Sequence, residues 1–278
     1  AGREYEAVQV VLRPPADVDV SVGVSDLAGP GGEVLVARPE RFERKAHLVP
    51  VPLPGGELAI KQPWRLALSH LYRSYGPDCQ HLDLPVVASH RAALPALFQM
   101  MDQGINAPLT SSCGRLFDAA AALLGVREAV SYDGQAAIEL EMSCTPDPES
   151  RCYPFRVETD SAGGWLLDPA PLLQALIAER QQGGPVGLLA SRFHRSLAAM
   201  YTEACRRLRK ESAISQVVLS GGVFQNQIFG QTLVDMLKSS GFEVFQHRQL
   251  PPNDGCLALG QAVAARAMYT RGEHHGVA

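Results

Sequence analysis

Apolar positions in this chain switch between two periods. Residues 8–12, 18–24 and 34–37 are short runs that alternate like strands, and residues 42–53 form another extended run that ends in Pro-Leu-Pro-Gly-Gly. From Pro63 the spacing becomes helical, with Trp64, Leu66, Ala67, Leu71 and Tyr72 on one face and the proline in the first turn. Residues 85–103 read as a helix carrying Leu94, Leu97, Met100 and Met101, the methionine pair as core filler. Residues 115–124 read as a helix stopped by Gly125, and 135–142 as another. Residues 155–158 and 165–167 predict a hairpin. Asp168 then caps a helix with Pro169 in its first turn, and that helix ends near Gly183 and Gly184. A long helix over 185–210 places Leu188, Phe193, Leu197, Met200 and Leu208 inside. The tail alternates: strand 216–219, helix 224–239, strand 242–246, helix 256–269. This order predicts an α/β architecture with ligands at the carboxyl ends of the strands.

The stretch QVVLSGGVFQN (216–226) concentrates the candidate chemistry. A buried strand runs into Gly221 and Gly222, and a helix follows. Glycines let a backbone approach a phosphate closely, and free N–H groups at a helix start face an anion. A Gly-Gly turn after a strand also occurs where nothing binds, so partners decide the matter. Asn253–Asp254–Gly255 falls between the last strand and the last helix, at the same sheet edge. A carboxylate beside phosphates needs a cation, which makes Asp254 a candidate metal ligand; capping of the last helix is the alternative. In LFDAAAALLG, Asp118 is either the solvent side of a short helix or a group that holds a sugar hydroxyl.

Composition narrows the classes. The 278 residues are 46% hydrophobic and 19% charged, with a formal net charge of −4. The longest basic run, 206–210, lies on a predicted helix and reads as a solvated face, so charge does not suggest nucleic acid. No apolar run is long enough to span a bilayer, and no signal peptide opens the chain. The six cysteines form no CxxC pair and read as reduced thiols of a cytoplasmic protein. Cys113, Cys256 and His194 read as packing groups. Ala1 in place of a methionine reads as a fragment edge.

Five ordered blocks, TSSCGRLFDAAAALLG (110–125), SYDGQAAIELE (131–141), RFHRSLA (192–198), VVLSGGVFQNQ (217–227) and LPPNDGCLALGQAV (250–263), resemble the C-terminal, TsaD-like domain of the HypF family of hydrogenase maturation carbamoyltransferases. Residues 39–68 extend the match, and the resemblance covers 31–270, leaving 1–30 as a poorly matched edge and 271–278 as a tail. The resemblance implies the two-lobed superfold of actin, sugar kinases and Hsp70 ATPases, represented by a C-terminal lobe and part of an N-terminal one. It implies an enzyme that takes carbamoyl-adenylate, made from carbamoyl phosphate and ATP in a neighbouring domain, and carbamoylates the C-terminal cysteine of a partner, HypE. Carried over by motif, Gly221, Gly222 and Asn226 contact phosphate and nucleotide, and Gly114, Asp118 and Gly134 hold the adenosine side. The family also implies a divalent metal, iron or zinc, with Asp254 as a ligand and Asp26 as a second. The chain lacks the family's paired HxxxH histidines. It is therefore expected to be a fragment or truncated homologue. The neighbouring readings are an O-carbamoyltransferase of small molecules and a catalytically incomplete nucleotide-binding module.

Overall fold

The computed structural model describes residues 9–13, 33–37, 42–160 and 163–256, together with 258, 259, 261, 262 and 266. The expected strand over 18–24 and Asp26 lie outside the described residues. A mixed sheet is built from β1 (Gln9–Arg13), β2 (Glu33–Ala37), β3 (Phe42–Leu48), β6 (Arg156–Thr159), β7 (Trp165–Asp168), β8 (Gln216–Ser220) and β9 (Glu243–Gln246), in the order β6-β7-β3-β2-β1-β8-β9. β8 and β9 are parallel, as are β3 and β7, whereas β2–β3 and β1–β8 are antiparallel. Registers Gln9↔Ser220, Gln9↔Glu33 and Glu33↔His47 therefore gather the carboxyl ends of β3, β7, β8 and β9 at one edge. That is where an α/β sheet presents its ligand loops.

The extended run 42–53 divides. β3 ends at Leu48, and β4 (Val51–Pro52) leaves the main sheet to pair with β5 (Leu109–Thr110). A short helix α1 (Glu57–Lys61), which the apolar pattern does not signal, precedes α2 (Pro63–Tyr75). The single helix expected over 85–103 is broken into α3 (Pro85–Ser89), a 3₁₀ turn over Arg91–Ala93 and α4 (Leu94–Gln103). Pro95 is the reason. In a continuous helix its ring would collide with the carbonyl of Arg91, so it is accommodated in the first turn of a new helix. Leu94 and Leu97 are buried, while Met100 and Met101 sit half-buried at the margin.

The core runs through α5 (Cys113–Leu123), all eleven residues of which are buried. Ala119, Ala120, Ala121 and Ala122 keep its girth small, so α2 packs directly on it. α6 (Gln135–Met142) follows, then the β6–β7 hairpin, α7 (Ala170–Gln181), the long α8 (Val186–Ser212) and α9 (Gln227–Ser239). The basic run on α8 is not merely a solvated face. Arg207 donates to the Val157 carbonyl at 2.7 Å and stacks on Trp165, and Arg209 covers Phe242 and donates to the Ser240 carbonyl. These stems and guanidinium groups fasten the helix to both ends of the sheet.

Asp168 joins the β7 carboxyl end to three partners. Its carboxylate accepts from Arg73 at 2.7 Å, from Arg156 at 2.7 Å and from the Ala170 backbone N–H at 3.0 Å. Burial opposes its charge, but the bonds from Arg156 and Arg73 outweigh this and hold the carboxyl below its ordinary value of 3.8. Asp168→Ala leaves Arg73 without its carboxylate and should cost about 3 kcal/mol in denaturant unfolding. The depressed pKa places the stabilising contribution above pH 3.8, lost as pH falls through the folded value. The variant should show a shallower acid limb than the parent.

Candidate functional site

β8 buries Val217 and Leu219 and delivers the chain to Gly221, whose φ of 114° and ψ of 157° suit only glycine. The Gly221 N–H donates to the Pro252 carbonyl at 2.8 Å, and a Cβ placed on Gly222 would lie 3.8 Å from that of Asn253. The two loops expected at one sheet edge are thus in contact, because β8 and β9 are parallel neighbours. Asp254 opens a 3₁₀ turn (Asp254–Cys256) and is exposed. It is Asn253 whose side chain accepts from the Gly255 N–H, at 3.1 Å. Among the described residues no three His, Cys, Asp or Glu side chains converge as metal ligands. One exposed carboxylate is a poor donor set for iron or zinc. The described residues therefore do not fit the implied metal.

After a 3₁₀ turn over Gly222–Gln225, Asn226 is the N-cap of α9, which begins at 227 instead of the expected 224. Its Oδ1 accepts from the Phe229 N–H at 2.8 Å, and its Nδ2 donates to His194 Nε2 at 3.0 Å. His194 Nδ1 in turn donates to the Ala190 carbonyl at 2.8 Å, which defines the tautomer. Burial pushes the His194 pKa down to about 4, against the Ala190 bond that raises it. Cys144 lies 3.6 Å from His194 Nδ1, and burial pushes its thiol up to about 11, so the two form no ion pair. As a packing group read from sequence, His194 has no nameable partner; the fold supplies Asn226.

The expectation that free N–H groups at the start of α9 face a ligand is corrected. The Gln227 and Ile228 N–H groups both donate to Glu141 Oε1, at 2.6 Å and 3.1 Å. The anion at this helix start is a side chain of α6.

On the other side, Ser112 caps α5 through its hydroxyl, which accepts from the Arg115 N–H. Gly114 lies in the first turn and Asp118 one turn further, only 3% exposed. Asp118 is therefore not the solvent side of its helix. Its carboxylate pairs with Arg115 Nη1 at 2.7 Å, while Arg115 Nη2 reaches Asp133 at 2.8 Å. Asp133 precedes Gly134, which takes a φ of 78° as the N-cap of α6. Arg115 thus brings Gly114, Asp118 and Gly134 into one corner. Next to Asp118, Phe117 packs edge-on against Phe229 and His194, with centroids at 5.6 Å and 5.1 Å. This aromatic contact, with Glu141, joins the Gly134 corner to the glycine turn. Arg115 was legible as an i,i+3 partner of Asp118. Nothing local signals Glu141, whose bonds span 86 and 87 residues.

His194 and the buried His70, whose pKa burial and Arg73 also push down to about 4, make stability pH-dependent. The unfolded chain takes up these protons near 6.5, so stability is full above that pH and declines as pH falls towards 4. Each histidine contributes on the order of 3 kcal/mol to that decline. His194→Gln should flatten the slope between pH 6.5 and 4 in urea titrations. Asn226→Ala should cost about 2 kcal/mol at neutral pH through the lost cap.

The carbamoyltransferase Kae1-like domain, second subdomain, matches residues 25–261. Carbamoyltransferase HypF of Rhodobacter capsulatus is 38% identical over 243 residues, 85% of this chain and 30% of that protein. Carbamoyltransferase HypF2 of Cupriavidus necator is 34% identical over 259 residues, 84% of this chain and 31% of that protein. The crystal structure of full-length HypF in the phosphate- and nucleotide-bound form superposes with a TM-score of 0.75 at 36% identity, covering 86% of this chain and 36% of that one. The chain spans about a third of the length of these relatives. The α/β fold is thus of the actin, sugar-kinase and Hsp70 kind, as expected. On the match across 25–261, the chain belongs to the Kae1-like carbamoyltransferase domain family of the HypF proteins.

Proposed function

We propose that this chain catalyses carbamoyl transfer in hydrogenase maturation, taking the carbamoyl group from carbamoyl-adenylate to the C-terminal cysteine of a HypE-type partner, on the way to the cyanide ligands of [NiFe] hydrogenase. The observation that carries the reading is the domain match over 25–261, which contains every described candidate residue. The geometry is compatible with it. Gly221 and Gly222, at the carboxyl end of β8, would lie along the phosphate. Asn226 is held rigid by Phe229 and His194 and would meet the nucleotide with its second amide N–H. Gly114, Gly134 and the Asp118 carboxylate, oriented by Arg115, would hold the adenosine, with Asp118 accepting from a ribose hydroxyl.

The reaction is acyl transfer. The partner's thiolate attacks the carbamoyl carbon, a C–S bond forms, the bond from that carbon to the phosphate oxygen breaks, and AMP leaves with the electron pair. The Gly222 and Val223 N–H groups, unlike that of Gly221, which donates to the Pro252 carbonyl, would stabilise charge on the departing phosphate. No cysteine of this chain is needed as nucleophile, consistent with the buried, high-pKa Cys79 and Cys205, pushed up to about 11 and about 12 by burial. On this reading the chain would act in the cytoplasm. Among the described residues no helix is long and apolar enough to cross a membrane.

Calorimetry with ATP and AMP should show binding by the parent chain, weakened at least about tenfold by Asp118→Ala. Mass spectrometry of a cysteine-terminated partner peptide offered carbamoyl-adenylate should show a carbamoylated thiol that depends on the chain. Nucleotide binding without transfer would indicate a binding module, and transfer to a small-molecule hydroxyl in place of the peptide would indicate an O-carbamoyltransferase. Absence of nucleotide binding would overturn the proposal.

A further inference from the structure

The first three N–H groups of α9 have no partners within their own helix and are answered by two side chains. Asn226 takes the third, at Phe229. Glu141 takes the first two, at Gln227 and Ile228, through one oxygen. Glu141 comes from the last turn of α6, whose opposite end is the Gly134 cap beside Asp133 and Arg115. One carboxylate therefore ties the far end of the adenosine-side helix to the first turn after the glycine loop. It also places a full negative charge where the macrodipole of α9 concentrates its positive end. A phosphate at that spot would meet this carboxylate.

We infer that Glu141 is a positioning residue: it clamps the start of α9 to α6, sets the separation of the two halves of the nucleotide site, and directs a bound phosphate to the 221–225 turn instead of to the helix N-terminus. The inference rests on the reading of this site as a nucleotide site. Glu141 touches no ligand and acts through the first turn of α9, which it holds by the Gln227 and Ile228 N–H groups. His194 on α8 fixes Asn226 as well, so the start of α9 is tied to two helices, α6 and α8.

The test uses the parent chain with Glu141→Gln and Glu141→Ala. Hydrogen exchange reads the clamp: the Gln227 and Ile228 amides should be protected in the parent and lose protection in Glu141→Ala, while Phe229 keeps its Asn226 bond. ATP titration by calorimetry reads the positioning. The affinity of Glu141→Ala should fall on the order of tenfold, with Glu141→Gln between it and the parent, since an amide oxygen still accepts but carries no charge. A purely structural role would lower thermal stability yet leave the ATP affinity of the folded protein unchanged, and that result overturns the inference. Unchanged exchange at Gln227 and Ile228 in Glu141→Ala also overturns it. A parent that binds no ATP but shows the protected amides would overturn the nucleotide reading, and the positioning role with it, while leaving the clamp as a stability contact.

Discussion

A helix that starts inside a protein brings several backbone N–H groups that its own turns cannot satisfy, and leaving them buried without acceptors is costly. α9 starts at the margin of that situation: Gln227 is exposed and Ile228 half-buried, while Asn226 and Phe229 are buried near Phe117 and His194. Most of the arrangement around the candidate site can be read as the solution. Asn226 supplies one acceptor, Glu141 supplies another, and His194 holds Asn226 in the orientation that keeps Oδ1 towards the helix. Neutral His194 is required, because a proton on Nε2 would face the Asn226 amide donor. Burial maintains that neutrality, so apolar packing of α5, α8 and α9 and the polar lock on the glycine turn support each other.

The same logic governs the adenosine-side corner. α5 passes through the core with its entire length buried, and its run of alanines allows that close approach. A buried helix can carry Asp118 only if the carboxylate is paired. Arg115, one turn earlier, does this and extends its other nitrogen to Asp133. The cost of burying charge is thereby turned into a fixed relation between α5 and the Gly134 cap. What the relatives share with this chain is about a third of their own length, so the corner and the turn belong to one domain of longer proteins in those relatives.

The sequence by itself determined the features that depend on near neighbours. Alternation and helical spacing located β1, β2, β8, β9 and α2, and α5 to α9 within a few residues. The rule that α/β sheets gather their loops at the carboxyl ends of strands puts the glycine turn and the 253–255 loop at one edge, and the structure brings them into contact through Pro252 and Asn253. Five ordered blocks also carried the family. A single residue can override a periodic pattern, as Pro95 does in breaking 85–103. At 42–53 the extended run divides because β4 leaves for a partner at 109–110 that no local signal announces. Tertiary structure alone decided who answers the polar groups. Glu141 reaches α9 across 86 residues, His194 reaches Asn226 across 32, and Asp168 reaches Arg73 across 95. Hydrogen-bond partners so far apart in the chain leave no periodicity behind. They are selected by which backbone and side-chain groups the packed core brings within about 3 Å of one another.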